Sequence, residues 1–398
     1  MFQCSVLRQY RLTLPLLALL FPANSQASEL TTALTQGKPT LNLRLRYEHV
    51  DQDNKLDNAD ALTLRTRLGY RSGDFHRFSA FVEMENTSAL NEDYNSGPGG
   101  NDKTRYAVVA DPELSEINQA LVRFDGIAAT HVTLGRQRII LDNARFVGNV
   151  GWRQNEQTYD ALRIDTEQLP HLILNYAYLR NARNVFGHDT DTSSQLFNVR
   201  YTGLGFATLS AYGYLIDFND SAEKSQQTYG LRLKGATQLS SVKILYTAES
   251  ARQGSYRDGN HGIDGNYRLL EAGLSAGGIT GKAAYELLGA DDFSGFETPF
   301  ATKHGFNGWA DVFLNTPTDG LQDIYLSLAG KISGVHLLGL YHDFQADKGG
   351  MDYGTEIDLL ASRKFGRHYQ LGLKYARYDA DRYAVDTDKF WLWGQLKL

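Results

Sequence analysis

Ala61 to Arg71 reads A-L-T-L-R-T-R-L-G-Y-R. Leu62, Leu64, Leu68 and Tyr70 share one parity, interrupted only by Thr66. Thr63, Arg65, Arg67 and Arg71 share the other, with Gly69. A strand points alternate side chains to opposite faces, whereas a helix would scatter both sets around its circumference. The stretch is therefore read as a strand with one apolar face and one face carrying guanidinium groups. The preceding stretch repeats the pattern, with Leu41, Leu43, Leu45 and Tyr47 set against Asn42, Arg44, Arg46 and Glu48. A dry core does not hold such a ladder of arginines. A water-filled lumen does, with the leucines turned outward to lipid.

The N-terminus points to export. Arg8 and Arg11 precede the apolar run Leu12 to Phe21, and Ser25-Gln26-Ala27 supplies the small residues of a cleavage site. Residues 1–27 are thus read as a secretory signal, since the run is too short to span a bilayer. The mature chain, 28–398, then has no cysteine, because the only one is Cys4, and a disulfide framework is excluded. Losing Arg8 and Arg11 takes 40 basic residues to 38 against 46 acidic ones, a net charge of −8. Such an exported, mildly acidic chain is no nucleic-acid binder. No later stretch has the length of a membrane helix, so a membrane role requires a closed barrel.

Short turns are read near 72–74, 125–126, 168–170, 203–205, 238–240, 276–278, 333–334 and 365–366. Between them lie long polar connections near 50–60, 86–115, 140–157, 181–194, 217–227, 250–266, 289–320, 345–354 and 379–389. The two kinds alternate strictly and join about eighteen strands. The expected fold is an all-β transmembrane antiparallel barrel with short periplasmic turns and long extracellular loops, in the bacterial outer membrane. Tyr47, Tyr70, Tyr178, Tyr201 and Tyr375 suit an interfacial girdle facing the lipid. The last run, Phe390 to Leu398, is read as the closing strand and as an insertion signal for the barrel-assembly machinery.

The densest polar motifs are Gly135-Arg136-Gln137-Arg138, Asn143-Ala144-Arg145, Trp152-Arg153-Gln154-Asn155 and Tyr159-Asp160-Ala161-Leu162-Arg163. The second half answers with Phe306-Asn307-Gly308-Trp309-Ala310-Asp311 and Glu356-Ile357-Asp358. In Gly135-Arg136-Gln137, Trp152-Arg153-Gln154-Asn155 followed by Tyr159-Asp160-Ala161, Phe306 to Asp311 and Glu356-Ile357-Asp358, the chain resembles the alginate-export family of outer-membrane porins. The resemblance implies an eighteen-stranded monomeric barrel. In the best-known member an arginine-rich constriction passes a polyuronate, and many relatives resemble uptake porins for small or oligomeric anions. This chain is short for the family, which implies trimmed loops.

The residues support an anion path independently of the family. A guanidinium fork binds a carboxylate bidentately and stays charged at any working pH, and rings of Arg and Lys select anions in pores. The candidate pore-lining ladder is Arg44, Arg46, Arg65, Arg67, Arg123, Arg136, Arg138, Arg145, Arg153 and Arg163. Glu83, Glu85, Asp160 and Asp165 are its candidate partners. The segments 86–115 and 289–320 are long enough to fold inward. The expected function is passive, anion-selective diffusion of a carboxylated solute such as alginate or uronate oligosaccharides, without catalytic residues, resident metal or cofactor.

Two rivals stay open. A barrel enzyme of the phospholipase type would need Ser and His together on the lipid face. Gly273-Leu274-Ser275-Ala276-Gly277 matches G-x-S-x-G but falls in a short turn, away from the strand-to-helix elbow that motif needs. A structural barrel would match its arginines one-to-one with carboxylates and block its lumen. The oxygen-rich Asp258-Gly259-Asn260 and Asp264-Gly265-Asn266 leave Ca²⁺ in an extracellular loop as a minor option.

Overall fold

The structure, a computed structural model, describes residues 23–398. The signal-peptide reading of residues 1–22 lies outside the described residues, and 23–27 open helix α1 (Ala23–Thr35). The strands on the N-terminal half of the wall are β1 (Lys38–Gln52), β2 (Ala59–Arg71), β3 (Phe78–Asp93), β4 (Leu114–Ile127), β5 (Thr130–Gln137), β6 (Thr158–Thr166), β7 (Leu172–Arg183), β8 (Asp189–Leu204) and β9 (Ala207–Ile216). The second half holds β10 (Gln226–Leu239), β11 (Val242–Ser255), β12 (Asn266–Ala276), β13 (Ile279–Leu288), β14 (Leu321–Ile332), β15 (Val335–Gln345), β16 (Asp352–Phe365), β17 (Tyr369–Ala380) and β18 (Thr387–Lys397). Each pairs antiparallel with its sequence neighbours, and β1 pairs with β18 from Asn42↔Lys397 to Gln52↔Thr387. An 18-stranded sheet is thereby closed on itself, so no edge is left unpaired in lipid.

The polarity is inside-out. On β2, Leu68 and Tyr70 are exposed and Leu62 and Leu64 half-buried, while Thr63, Arg65 and Arg67 are buried. The same sorting holds on β10, where Leu231 is exposed and Arg232 buried, and on β17, where Leu371 and Leu373 are exposed and Lys374 buried. The buried cluster consequently lies in the lumen and is aromatic, with Phe146, Tyr159, Tyr212, Tyr214, Tyr267, Phe296 and Trp391 among its members. Tyr70 and Tyr201 face outward near the periplasmic ends of their strands, with Tyr47, Tyr178 and Tyr375 outward in the extracellular halves.

The longest connections all lie on the extracellular side, but the sorting by length is not strict: the periplasmic 72–77 is as long as the extracellular 53–58, and the extracellular 184–188 is no longer than the periplasmic 167–171. Loop 289–320 is as read, whereas 86–115 shrinks to 94–113, 181–194 to 184–188 and 250–266 to 256–265. The strands rise above the bilayer there, and polar residues pair in them without needing an apolar face. Asp125-Gly126, read as a turn, lies inside β4 at a register shift between Phe124 and Ile127. The turn itself is Ala128-Ala129, with Ala129 at φ 48°.

Candidate functional site

Two loops fold into the lumen and zip together. Loop 138–157 leaves β5 and loop 289–320 leaves β13. Gly148 N–H donates to the Phe300 carbonyl at 2.8 Å, and Thr302 N–H to that of Ala144 at 2.9 Å. A Cβ at Gly148 would come within 2.2 Å of Thr302 Oγ1, so only glycine permits the approach. Trp152 stacks on His304 at 5.0 Å and meets Trp391 and Trp393 edge-on.

The wall holds the first loop through its polar run. Gln154 Nε2 donates to Thr63 Oγ1 at 2.8 Å, and Asn155 accepts from Thr87 at 2.8 Å. Glu156 accepts from Asn149 at 2.6 Å and pairs with Arg138. Burial alone would push the Glu156 carboxyl up, but the charges of Arg67 and Arg138 outweigh it and hold it at about 2. The second loop docks by a motif-to-motif contact. Trp309 N–H donates to Asp358 at 3.2 Å and Ala310 N–H to Glu356 at 2.7 Å. Asn307 reaches Glu286 at 2.7 Å and accepts from Arg145 at 2.9 Å. His304 is clasped between Asp311 at 2.6 Å and Lys374 at 2.7 Å. Burial pulls its pKa down to about 3, so the ring is a neutral link.

Most of the candidate ladder is spent on these anchors. Arg44 donates to Gln154 at 2.8 Å and to the Gly151 and Arg153 carbonyls. Arg46 holds Asp111 and the Trp152 carbonyl, and Arg65 reaches Asn42 at 2.9 Å. Arg67 pairs with Glu85, and Arg138 with Glu83 at 2.6 Å, so both glutamates act as partners. Arg145 pairs with Glu286 at 2.8 Å, and Arg153 with Glu48 at 3.0 Å and Asp311 at 2.7 Å. Arg123 and Arg163 face the lumen nearer the periplasm, each paired at 2.8 Å with the aspartate two residues on, Asp125 and Asp165.

Arg136 and Asp160 correct the pore-lining expectation. Their bidentate pair, 2.8 Å in both arms, shares the parity of the exposed Leu134 and Leu162 and therefore lies on the outer face of the wall. The cause is shortness: β5 and β6 stop early on the extracellular side, so an outward polar pair there escapes the lipid band.

Open space lies on both sides of the zipped loops. Toward the periplasm, a cavity of about 560 Å³ is lined by Arg200, Arg232, Lys234 and Lys243, with Leu204, Phe206 and Leu245 beside them. A second, about 410 Å³, shares Asn143, Arg232 and Lys234 with it and reaches up to Trp309 and His342. On the extracellular side about 450 Å³ is bounded by Arg153, Asp311 and Lys389. Trp309 faces the lower space and Ala310 the upper, so one peptide segment partitions the lumen. Arg232 pairs with Glu249, but Arg200, Lys234 and Lys243 make no ion pair among the described residues. Arg200 Nε is buried without a hydrogen-bond partner, and Asp142 across the cavity is taken by Asn198 and Ser210. Arg200, Lys234 and Lys243 were absent from the candidate ladder. The alternation Asn198, Arg200, Thr202 against Phe197, Val199, Tyr201 carries the signal for the first of them.

The sequence profile described as alginate export matches residues 36–277. The chain belongs to the alginate-export family. No curated protein matches it. Its fold is similar to solved outer-membrane channels. OccAB4 of Acinetobacter baumannii superimposes with a TM-score of 0.74 at 13% identity, covering 92% of this chain and 99% of that one. OpdK of Pseudomonas aeruginosa, solved with vanillate, gives 0.74 at 15%, covering 92% and 99%. OccD3 of the same organism gives 0.70 at 16%, covering 92% of each. The protein is thus a porin-like channel of the bacterial outer membrane. In this member of the alginate-export family, the W-R-Q-N, F-N-G-W-A-D and E-I-D motifs are the contacts that seat two loops in the lumen.

Proposed function

We propose that this alginate-export family member conducts a carboxylated solute, such as a uronate or a short uronate oligosaccharide, by passive anion-selective diffusion. One observation carries the reading: Arg200, Lys234 and Lys243 line a periplasm-side cavity without carboxylate partners, while Arg67, Arg138 and Arg153 at the zipped loops are each paired with a glutamate. Fixed cations in a water-filled lumen with low-dielectric walls raise the local concentration of anions. A similar fold has been solved with vanillate, itself a carboxylate, which is consistent with that solute class.

No covalent step is proposed. Ser275 sits at the end of β12 and accepts from Thr280 at 2.9 Å. Among the described residues no three His, Cys, Asp or Glu side chains are placed to hold a metal ion, and Asp264 of the extracellular loop is engaged by Arg252 at 2.6 Å. The barrel is proposed to act as a monomer.

Reversal potentials in planar bilayers under a salt gradient test the reading. Anion preference is expected, and Arg200→Ala with Lys234→Ala and Lys243→Ala should reduce it about tenfold, the low end of what a focused field of one sign does. Cation preference would overturn the anion path. The near one-to-one pairing at the zipped loops favours the alternative of a blocked structural barrel; absence of any conductance would decide for it.

A further inference from the structure

The two mouths of the barrel carry opposite charge. At the periplasmic ends of β1, β14, β16 and β18 stand Lys38, Lys331, Lys364 and Lys397, all exposed. Register fixes the face that each occupies. Lys397 pairs with Asn42, two residues from the lumenal Arg44, and Lys38 lies on the same parity of β1. Lys331 pairs with His336, which lines a lumenal cavity. Lys364 pairs with Gln370 and lies on the parity of the buried Glu356 and Asp358. All four therefore stand on the lumen side of the wall, away from lipid. None makes an ion pair among the described residues. Lys38 even stands directly opposite Arg71, a like-charge cross-strand pair that costs stability. The stability of the wall does not account for these charges.

Other cations near this mouth are neutralised. Arg123, Arg163 and Lys282 are held by Asp125, Asp165 and Glu271. The unpaired cations thus follow one arc of the wall, from Arg200, Lys234 and Lys243 on β8, β10 and β11 round to Lys38 on β1. At the extracellular mouth the loops carry Asp220, Asp258 and Asp319, exposed and without ion pairs among the described residues. A pore that is basic at one end and acidic at the other draws anions in at the first and cations in at the second. A voltage that drives both carriers inward fills the pore with them, and the reverse voltage empties it. The current then depends on the sign of the voltage.

We infer that Lys38, Lys331, Lys364 and Lys397 are specificity-determining residues, a basic collar that admits anions at the periplasmic mouth and makes conduction rectify. The rectification rests on the anion-conducting function proposed above, whereas the collar itself is tested without current. In a Cys4→Ser background, Gln370→Cys beside Lys364 and Thr318→Cys beside Asp319 each supply a single thiol. The full-length protein in mild detergent is treated with anionic sulfonatoethyl or cationic trimethylammonioethyl methanethiosulfonate, each rate being normalised to that with free cysteine. At low salt the anionic-to-cationic ratio should be about tenfold higher at position 370 than at 318. Lys38→Gln, Lys331→Gln, Lys364→Gln and Lys397→Gln together should remove most of that excess. Heat-modifiable migration in gels reports folding; should the fourfold variant fail to fold, Lys364→Gln alone, nearest the reporter, decides. Equal ratios at the two thiols, or a ratio at 370 that the glutamines leave untouched, would overturn the collar. In planar bilayers at about 0.1 M salt, with orientation read from the side that labels position 318, current should be larger when the extracellular side is positive and drives anions in past the collar. Symmetric wild-type current would overturn the rectification. Unequal thiol ratios in a barrel that prefers cations or passes no current would defeat the proposed function alone, and anion preference with equal ratios would defeat the collar alone.

Discussion

Arg153 has its guanidinium between two carboxylates, Glu48 on β1 and Asp311 on the opposite loop, and all three side chains are buried. Removing one member of a buried set leaves uncompensated charge, which costs up to about 3–5 kcal/mol. The strands have their own ladder, so the loss should fall on loop docking. Arg153→Ala is expected to raise single-channel conductance and open 138–157 to protease, with thermal unfolding of the barrel little changed. Unaltered conductance would mean that the path does not run past this residue. Gly308→Ala attacks the other loop. Gly308 is at φ 84°, and a Cβ there would lie 2.3 Å from Glu356 Oε2, so the F-N-G-W-A-D segment must move. The same increase in conductance is expected. At this scale the sequence shows which way a side chain points but not what it meets. Parity placed Arg65 and Arg67 in the lumen from alternation alone. It gave no hint that Arg44 would be spent on the carbonyls of residues more than a hundred positions away.

Strands were legible because a membrane wall imposes period 2 on every one of them, and loops because they contain what that period excludes. β5 and β6 are the exception. Arg136 and Asp160 were read as lumenal because charges in a wall strand normally face water inside, and the early end of both strands supplies water outside instead. Loop conformation was not legible at all, since the zip between 138–157 and 289–320 rests on backbone bonds that leave no pattern in side-chain type. Within the second loop, Glu297 borders an extracellular cavity with Phe218, Phe293 and Pro299. Burial pushes its carboxyl up to about 7, against the pull of Lys303. The folded loop therefore holds a proton that the unfolded loop releases near the ordinary carboxylate range. Its stabilising contribution is complete below about pH 4.5 and is lost as pH rises through about 7. The protection of amides across 293–298, measured relative to the base-catalysed intrinsic exchange rate, should fall between about pH 5 and pH 8. Glu297→Gln should remove that dependence, and a flat wild-type profile would contradict the assignment.

For the whole molecule, the inversion of polarity separates two electrostatic layers that differ in accessibility. At the zipped loops, charges are buried and most are paired, as Arg67 with Glu85 and Arg145 with Glu286 show, with Arg44 and Arg65 held by amide and carbonyl oxygens instead. Below them, Arg200, Lys234 and Lys243 face open space. These layers respond differently to salt. The screening length is about 10 Å at 0.1 M and about 3 Å at 1 M, and buried charges are screened much less than exposed ones. If the open cations set selectivity, anion preference measured from reversal potentials should be strong near 0.1 M and fade toward unity near 1 M, where only near-contact interactions survive. The triple alanine variant at these positions should show the faded value at both concentrations. If the buried arginines set it instead, the preference should persist at 1 M and survive the triple substitution. Salt dependence therefore assigns selectivity to one layer or the other without unfolding either.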